Sequence, residues 1–279
     1  MFEIVEKLTL NSQVKLMSVK APKIAEKAQA GQFIILRIDE NGERIPLTIS
    51  DYDREKGLVT IIFQEVGATT KRLGMLEKGD FIQNFVGPLG RASELEGLKK
   101  VCVIGGGLGT AIAYPQAKAL HDMGAVVDGV TGFRNKDLII LEDEMSKVCR
   151  NLYIATDDGS NGNKGFVTNI LQKLIDDGED YDAVIAIGPL VMMRAVAEVT
   201  RPKGIKTIVS MNSIMIDGTG MCGGCRVIVG GETKFACVDG PDFDGHLVDF
   251  ETAMRRGNMY KAMEREADCN LMKAGEQNA

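Results

Sequence analysis

The sequence predicts three parts: an antiparallel β-barrel, a doubly wound parallel α/β sheet, and a small cysteine-rich segment near the end of the chain. Three observations carry this prediction. Short β-branched runs separated by polar turns fill the first part, strands and helices alternate from about Lys99, and three of the six cysteines fall within 16 residues. Such runs and turns are typical of small barrels, and such alternation is typical of a sheet with helices on both faces.

Length and composition describe a globular protein. A chain of 279 residues, 44% of them hydrophobic, has enough apolar material for two or three cores. The formal net charge of −6 argues against nucleic acid as a partner. No apolar run approaches the ~20 residues that span a bilayer, and the N-terminus lacks a signal-peptide pattern. We therefore expect no membrane contact and a cytoplasmic protein whose cysteines are reduced.

The first two parts are defined by their local patterns. Residues 1–97 contain the strand-like runs QFIILRID and LVTIIFQEV, bounded by the turn signals ENGE and DREKG. Residues 98–212 contain an apolar strand, a glycine turn and a helical stretch in KKVCVIGGGLGTAIAYPQAKALHDMGA. The alternation continues through LIILEDEMSKVC, which we interpret as a strand that leads into a helix, and through YDAVIAIGP and KTIVSMN. These two parts predict the barrel and the sheet.

The rest of the chain predicts a small metal-dependent unit and a tail. Residues 213–245 are rich in glycine and cysteine and too few to build an apolar core, so they need a metal or a neighbour to fold. Residues 246–279 contain the helical pattern of one or two amphipathic helices.

A glycine-rich turn, VIGGGLGTA, lies between a predicted strand and a predicted helix. Glycines let a backbone approach a pyrophosphate closely, and a helix N-terminus offers free N–H groups. The spacing is not the regular G-x-G-x-x-G, so a tight turn without a ligand is the alternative. Residues at three further strand ends favour a nucleotide site, because ligands of an open parallel sheet bind outside the carboxyl ends of its strands. The candidate residues are Gly105, Gly106, Gly107, Gly109, Thr110, Arg134, Asp157 and Gly188.

Cys222, Cys225 and Cys237 form the strongest ligand pattern in the chain. A disulfide is unexpected in a reducing compartment and would leave Cys237 unexplained. Zinc takes four ligands, often in two C-x-x-C knuckles, and only one knuckle is present. An iron–sulfur cluster suits the nearby glycines, whose N–H groups can surround the sulfurs. The pattern favours the cluster and leaves zinc open; Asp217 stands where a fourth cysteine is missing.

A barrel followed by a GGG-x-G sheet domain resembles the ferredoxin–NADP reductase superfamily of flavoproteins. RIPLTIS is similar to the flavin motif of that superfamily, although Ile45 stands where its arginine usually lies and Arg44 is one residue early. IFQEVGATTKRL resembles the segment that carries the flavin pyrophosphate. The resemblance implies that FAD is held by Arg44, Pro46, Leu47, Thr48, Phe63, Gln64, Gly67, Thr69 and Thr70.

The whole order of units resembles the electron-transfer subunits of dihydroorotate dehydrogenases and, more closely, the small subunits of NADH-dependent reduced ferredoxin:NADP oxidoreductases. The stretches GFRNKDLIILEDE, TDDGSNGNKGFVT and CGGCRVIVGGETKFACVDGPDFDGHLVDF carry this resemblance. Four cysteines hold the cluster in the dihydroorotate subunits, and an aspartate replaces the first of them in the bifurcating small subunits. The resemblance implies a [2Fe–2S] cluster held by Asp217, Cys222, Cys225 and Cys237; the alternative is that Asp217 only caps a turn.

This resemblance also implies an activity and partners. We expect an oxidoreductase that takes a hydride from NAD(H) or NADP(H) onto FAD and passes single electrons to the cluster, with no side chain acting as acid or base. The expected assembly is a heterodimer with a larger flavin and iron–sulfur subunit, which reaches ferredoxin, in flavin-based electron bifurcation. The alternative enzyme is the electron-transfer subunit of a dihydroorotate or sulfide dehydrogenase. The alternative that is not an enzyme is a binding protein that senses redox state or is stabilised by zinc.

Overall fold

The computed structural model describes residues 1–277 and divides into the three predicted parts followed by a helical tail. None of the helices within those residues is long and apolar enough to cross a membrane. The predicted boundary at residues 97 and 98 stays a prediction. In the structure, these residues lie in the connection between the last strand of the barrel and the first strand of the α/β sheet.

The first part is an antiparallel barrel of seven strands that is nearly closed. Its strands are β1 (Phe2–Thr9), β2 (Val14–Lys20), β3 (Phe33–Arg37), β4 (Ile45–Asp53), β5 (Leu58–Gln64), β6 (Phe81–Ile82) and β7 (Asn84–Leu89), in the order β6-β1-β2-β5-β4-β3-β7. Two helices connect them, α1 (Pro22–Lys27) and α2 (Ala68–Met75). The inward residues of the β-branched runs, such as Ile34, Ile49 and Ile61, are fully buried, because a strand points alternate side chains to one face.

The second part is a six-stranded sheet in which five strands are parallel. Its strands are β8 (Lys100–Gly106), β9 (Val126–Phe133), β10 (Asn151–Thr156), β11 (Ala183–Ile187) and β12 (Lys206–Ser210), and the antiparallel β15 (Asp242–Asp244) completes the order β10-β9-β8-β11-β12-β15. Its helices are α3 (Gly109–Asp122), α4 (Glu142–Val148), α5 (Val167–Asp176) and α6 (Leu190–Thr200). Because α3 and α4 pack on one face and α5 and α6 on the other, the doubly wound prediction is confirmed.

One local prediction is wrong. The run Leu138–Leu141, which we interpreted as a strand, forms no strand and leads through a left-handed Leu141 into α4. Its apolar side chains contribute to a cluster that joins Ile140 and Phe133 of the sheet domain to Val14 and Ile62 of the barrel. A short apolar run at an interface between two units has the same composition as a buried strand, and the sequence pattern does not separate the two.

The third part packs against the other two. A hairpin of β13 (Arg226–Val229) and β14 (Glu232–Phe235) follows a long loop, and β15 then joins the large sheet beside β12. The tail contains α7 (Phe250–Arg256) and α8 (Lys261–Gln277), as the helical pattern predicted. The final helix returns to the barrel, where Asp268 is paired with Lys71 of α2 at 2.7 Å. The last two residues of the predicted tail lie outside the described residues.

Candidate functional site

A cleft of about 1000 Å³ opens between the barrel and the carboxyl ends of the sheet strands. The barrel contributes residues of β3, β4 and β5, and the sheet contributes the ends of β8, β9, β11 and β12. This is the place where ligands of open α/β sheets bind. Ten of the residues that we predicted from the sequence line the cleft: Pro46, Leu47, Thr48, Gln64, Gly106, Gly107, Gly109, Arg134, Asp157 and Gly188.

The glycine turn after β8 is closely packed. A Cβ atom on Gly109 would lie 2.2 Å from the carbonyl oxygen of Ile187, and one on Gly106 would lie 2.4 Å from the sulfur of Met192. Gly107 has a φ of +56°, which favours glycine. The turn therefore brings bare backbone to the mouth of the cleft at the start of α3, as the binding of a pyrophosphate requires.

Two predicted residues lie behind this turn. Neither Gly105 nor Thr110 lines the cleft; a Cβ on Gly105 would lie 2.6 Å from the Cα of Thr110. Thr110 is fully buried, and among the described residues its hydroxyl has no hydrogen-bond partner. A buried hydroxyl without a partner is uncommon, so this one is available to a group that enters the turn.

The barrel side of the cleft is formed by β4 and β5. Pro46, Leu47 and Thr48 of β4 and Gln64 of β5 line the cleft, and Leu47 also packs against the barrel core. The predicted Phe63 is fully buried in the barrel core instead, since neighbouring residues of a strand point to opposite faces. Phe63 therefore packs behind the barrel wall of the cleft and does not line the cleft itself.

The start of α2 holds three further predicted residues, which lie beyond the residues that line the cleft. The hydroxyl of Thr70 accepts hydrogen bonds from the N–H groups of Val66 and Gly67 at 3.0 and 3.2 Å. Thr69 donates its hydroxyl to Glu43 at 2.6 Å. The stretch that resembles a flavin-pyrophosphate segment forms the capped start of α2, and its role toward a phosphate stays a prediction.

The far rim of the cleft carries charge and an exposed aromatic side chain. Arg134 follows β9, Asp157 follows β10, and both are exposed. The neighbouring Asp158 accepts the N–H of Ser160 at 2.9 Å, and its hydrogen bonds with Ser160 lower its pKa. Phe166, at the start of α5, lines the cleft with 64% of its surface exposed.

Several lining residues were not predicted. Asn11 and Gln13 come from the turn between β1 and β2, Phe33 from β3, and Asn212 and Ser213 from the segment after β12. Asn212 and Ser213 carried a usable signal, since polar residues directly after a parallel strand fall at the ligand-binding edge. The other three depend on how the barrel meets the sheet, which no local pattern describes.

Three predicted metal ligands lie on the long loop before β13, and Cys237 lies in the turn after β14. Cys225 and Cys237 are buried and adjacent, with the Cys237 N–H donating to the Cys225 sulfur at 3.5 Å. Burial raises the pKa of the Cys237 thiol to about 12. Cys222 is exposed, and hydrogen bonds from the N–H groups of Gly224 and Asp217 lower its pKa.

The side chain of Asp217 accepts hydrogen bonds from the N–H of Thr219 at 3.0 Å and from its hydroxyl. These bonds hold the pKa of Asp217 below its usual range. Within residues 1–277, no group of three or more His, Cys, Asp or Glu side chains is close enough to hold one metal ion. A [2Fe–2S] cluster does not need three protein ligands around one metal ion, because each of its two irons takes only two.

The donors and the backbone of the loop suit such a cluster. Of the four predicted donors, Cys225 lies beside Cys237, and the backbone N–H of Asp217 lies close to the Cys222 sulfur. Gly218, Gly220 and Gly223 have φ values of +86°, +84° and +67°. Left-handed glycines let a loop turn its N–H groups toward sulfur, an arrangement found around iron–sulfur centres. All six cysteines are free of disulfides.

The loop is attached directly to the cleft. Ser213 and Met215 line the cleft, and Asp217 is two residues beyond Met215. A Cβ on Gly218 would lie 2.8 Å from methyl carbons of both Ile35 and Leu89, so the loop packs closely on the barrel. The cysteine loop therefore continues directly from the wall of the cleft.

Comparison with known proteins agrees with these features. The family model for the iron–sulfur cluster binding domain of dihydroorotate dehydrogenase B matches residues 212–249. An uncharacterised protein from the adh 3′ region of Clostridium beijerinckii is 52% identical over 97% of this chain and 94% of its own length.

Two further comparisons cover nearly the whole chain. The dihydroorotate dehydrogenase B (NAD(+)) electron transfer subunit homologue of Thermotoga maritima is 43% identical over 94% of this chain and 93% of its own length. A chain of the NADH-dependent reduced ferredoxin-NADP oxidoreductase, solved for insight into flavin-based electron bifurcation, is 41% identical, with a TM-score of 0.92 and 98% of both chains covered. The predicted fold class and resemblance are confirmed, and the chain belongs to the family of dihydroorotate dehydrogenase B electron transfer subunits and their homologues.

Proposed function

We propose that this chain is the electron-transfer flavoprotein subunit of a flavin-based electron-bifurcating ferredoxin:NADP oxidoreductase. It oxidises NAD(H) or NADP(H) through FAD and a [2Fe–2S] cluster. The observation that carries the proposal is the continuity of the two sites: one segment, residues 213–217, leaves the wall of the cleft and enters the cysteine loop. The similarity over 98% of a chain from the bifurcating enzyme supports the same assignment.

The cleft has room and suitable walls for two cofactors. Pro46, Leu47 and Thr48 offer an apolar and hydroxyl-bearing strand to the flavin, and Gly106–Gly109 offer bare backbone to the pyrophosphate of the nicotinamide nucleotide. FAD supplies the chemistry that takes a hydride and releases its two electrons singly. The protein's part is to align the two rings and to exclude water, since no acid or base is needed.

The donor set proposed for the cluster is Asp217, Cys222, Cys225 and Cys237. A carboxylate is a harder ligand than a thiolate and delocalises less charge, so Asp217 would retune the potential of the cluster. Its hydrogen bonds with Thr219 lower its pKa, which favours the ionised form that a ligand requires.

A subunit with this architecture needs a partner. A larger flavin and iron–sulfur subunit would complete a heterodimer and reach ferredoxin, and the cytoplasm is the compartment that suits six free cysteines. Electron transfer subunits of dihydroorotate dehydrogenase B are also relatives, for example at 33% identity in Fusobacterium nucleatum. A partner with a dihydroorotate pocket is therefore the second candidate, and Asp217 in place of a cysteine disfavours it.

The testing experiment is an anaerobic pull-down of the tagged full-length chain from its native host. Flavin and iron are counted in the captured complex, and its reduction by NADH and NADPH is followed by absorbance. A larger partner that carries its own flavin and iron–sulfur clusters, in a complex that reduces ferredoxin, supports the proposal. A dihydroorotate-oxidising partner supports the second candidate, and a chain that binds zinc and no flavin contradicts both.

A further inference from the structure

A short segment connects the proposed cluster to the cleft, and three parts of the protein hold it. The connecting segment, residues 238–242, begins next to the ligand Cys237 and ends at Asp242 of β15. Pro241 within it lines the cleft. Whatever fixes this segment also fixes how far the cluster lies from the cleft.

Hydrogen bonds to its backbone carbonyl groups hold the first part of the connecting segment. Arg91, in the connection between the barrel and the sheet domain, donates its backbone N–H to the Gly240 carbonyl at 2.7 Å and its Nε to the Val238 carbonyl at 3.1 Å. Met211 donates its N–H to the Pro241 carbonyl at 2.9 Å. These bonds place the segment between the connection and the end of β12.

Asp242 holds the second half. Its Oδ2 accepts the hydroxyl of Ser93 at 2.6 Å and the Nε2 of Gln116 at 3.2 Å, so it joins the connection to α3. Ser210, its partner across the strands, lines the cleft. A Cβ on Gly31 would lie 2.1 Å from the Ser93 hydroxyl, so a glycine there is required for Ser93 to reach its place.

Two oxygens of this network lack donors. Although part of Asp242 reaches the surface, its Oδ1 is buried, and so is Oε1 of the fully buried Gln116. Neither oxygen has a hydrogen-bond partner among the residues that the structure describes. Two buried acceptors without donors are costly, and a single proton would satisfy both of them.

We propose that Asp242 is a positioning residue that is held as a neutral acid, whose Oδ1–H donates to Gln116 Oε1 while Gln116 Nε2 donates to Oδ2. The two hydrogen bonds between the acid and the amide hold the connecting segment in place. They thereby set the distance between the cleft and the cluster. Burial raises the pKa of Asp242, which favours the same protonation state. The inference rests on the proposed function, since it assigns the distance between the two cofactors of that function.

Asparagine and valine at position 242 separate the possible roles. In Asp242→Asn, the amide NH₂ replaces the acid O–H and the remaining oxygen still accepts, so the lock survives. In Asp242→Val, a side chain of similar size makes none of these bonds. If Asp242 were ionised and its charge mattered, the asparagine variant would fail as well.

The experiment uses the full-length chain loaded with flavin and iron, whose contents are measured first. Single-turnover mixing with NADH then follows flavin reduction and cluster reduction separately. We expect Asp242→Asn to match the wild type within about twofold. Asp242→Val should keep its rate of flavin reduction, while cluster reduction slows by about tenfold or more, because small displacements of reacting partners carry large rate penalties.

A second measurement is independent of the cofactors. The infrared spectrum of the wild type should contain the band of a protonated buried carboxyl, and Asp242→Asn should lack it. Absence of that band, cluster reduction at the wild-type rate in Asp242→Val, or equal damage by asparagine and valine would overturn the inference. If Asp242→Val does not fold, Gln116→Leu removes the amide and leaves Ser93 in place. A wild-type chain that holds neither flavin nor iron would instead contradict the proposed function.

Discussion

Arg44 donates a hydrogen bond from its Nε to the carbonyl oxygen of Ile216, at 2.6 Å, across 172 residues of sequence. The bond joins the start of β4 in the barrel to the loop that carries Asp217. Arg44 resembles the flavin-phosphate arginine of its superfamily, displaced by one residue. The contact also lets Arg44 hold the loop that carries Asp217 against the barrel.

The two roles predict different losses in Arg44→Gln. If Arg44 fastens the loop, iron per chain should fall while flavin per chain stays near the wild-type value, because the freed loop no longer presents its ligands together. If Arg44 binds the flavin phosphate, flavin is lost first. Both contents are measured on the same preparation, with Arg37→Gln as the control arginine, since Arg37 of β3 donates to Asn84 of the neighbouring β7.

Removal of the Asp217 carboxylate should weaken or abolish the cluster and leave FAD bound. In Asp217→Ala the donor set loses one of its four members, whereas Asp217→Cys restores four and should keep the iron with a changed potential. Iron analysis, visible absorbance and electron paramagnetic resonance of the reduced protein report the outcome. The control is Glu232→Ala, which removes an exposed acid on the hairpin. An unchanged iron content in Asp217→Ala would contradict the assignment of Asp217 as a ligand.

The order of the three parts could be predicted from the sequence because each part repeats its own pattern over many residues. The barrel strands, the alternating sheet domain and the cysteine loop each carry several independent signals. The site could be predicted in part for the same reason: Gly106 ends β8, Gly109 begins α3 and Asp157 directly follows β10, so all three lie at the carboxyl edge of the sheet.

What could not be predicted depends on contacts between the parts. Leu138–Leu141 looked like a strand because its apolar residues pack against the barrel. Phe63 and Gln64 are neighbours in one motif, yet only Gln64 lines the cleft, because successive strand residues face opposite ways. Asp242 carried no signal, since its partners Ser93 and Gln116 lie more than a hundred residues away.

Gly109→Ala should block nucleotide binding while flavin stays bound. The new Cβ would meet the Ile187 carbonyl oxygen at 2.2 Å, a backbone atom that cannot move aside without shifting β11. We expect overpacking to cost about 1–3 kcal/mol of stability and to abolish rapid flavin reduction by NADH. Gly257→Ala, where the nearest atoms lie at 3.6 Å, should leave both properties unchanged. Normal reduction kinetics in Gly109→Ala would mean that this turn does not bind the nucleotide.

The carboxylate of Asp157 should favour NADH over NADPH. An acid at the rim of a nucleotide cleft can accept the hydroxyls of the ribose and repels a 2′-phosphate. We expect Asp157→Ser to raise kcat/KM for NADPH relative to NADH by about tenfold, while Arg134 stays available to the phosphate. Asp158→Asn is the matched control, because Asp158 is bonded to Ser160 and does not line the cleft. An unchanged ratio in Asp157→Ser would place nucleotide selection elsewhere.

Asp128 should stabilise the sheet domain in a pH-dependent way. Its fully buried carboxylate accepts hydrogen bonds from Arg150, Tyr181 and Asn151, which outweigh the effect of burial and lower its pKa. The ionised form therefore contributes stability that is complete above the unfolded-state pKa of about 3.9, and this contribution is lost as pH falls through the lower folded-state pKa.

Chemical denaturation of Asp128→Asn across pH tests this contribution. Near neutral pH we expect the variant to lose about 1–3 kcal/mol of unfolding free energy, because the Tyr181 hydroxyl and the Arg150 guanidinium lose a charged acceptor. The difference from the wild type should begin to shrink as pH falls below about 3.9, where the unfolded wild type takes up a proton, and should be lost as pH falls through the lower folded-state pKa of Asp128. Asp176→Asn, on the exposed face of α5, should match the wild type at every pH. A difference that stays constant into acid would show that the network does not depend on the charge of Asp128.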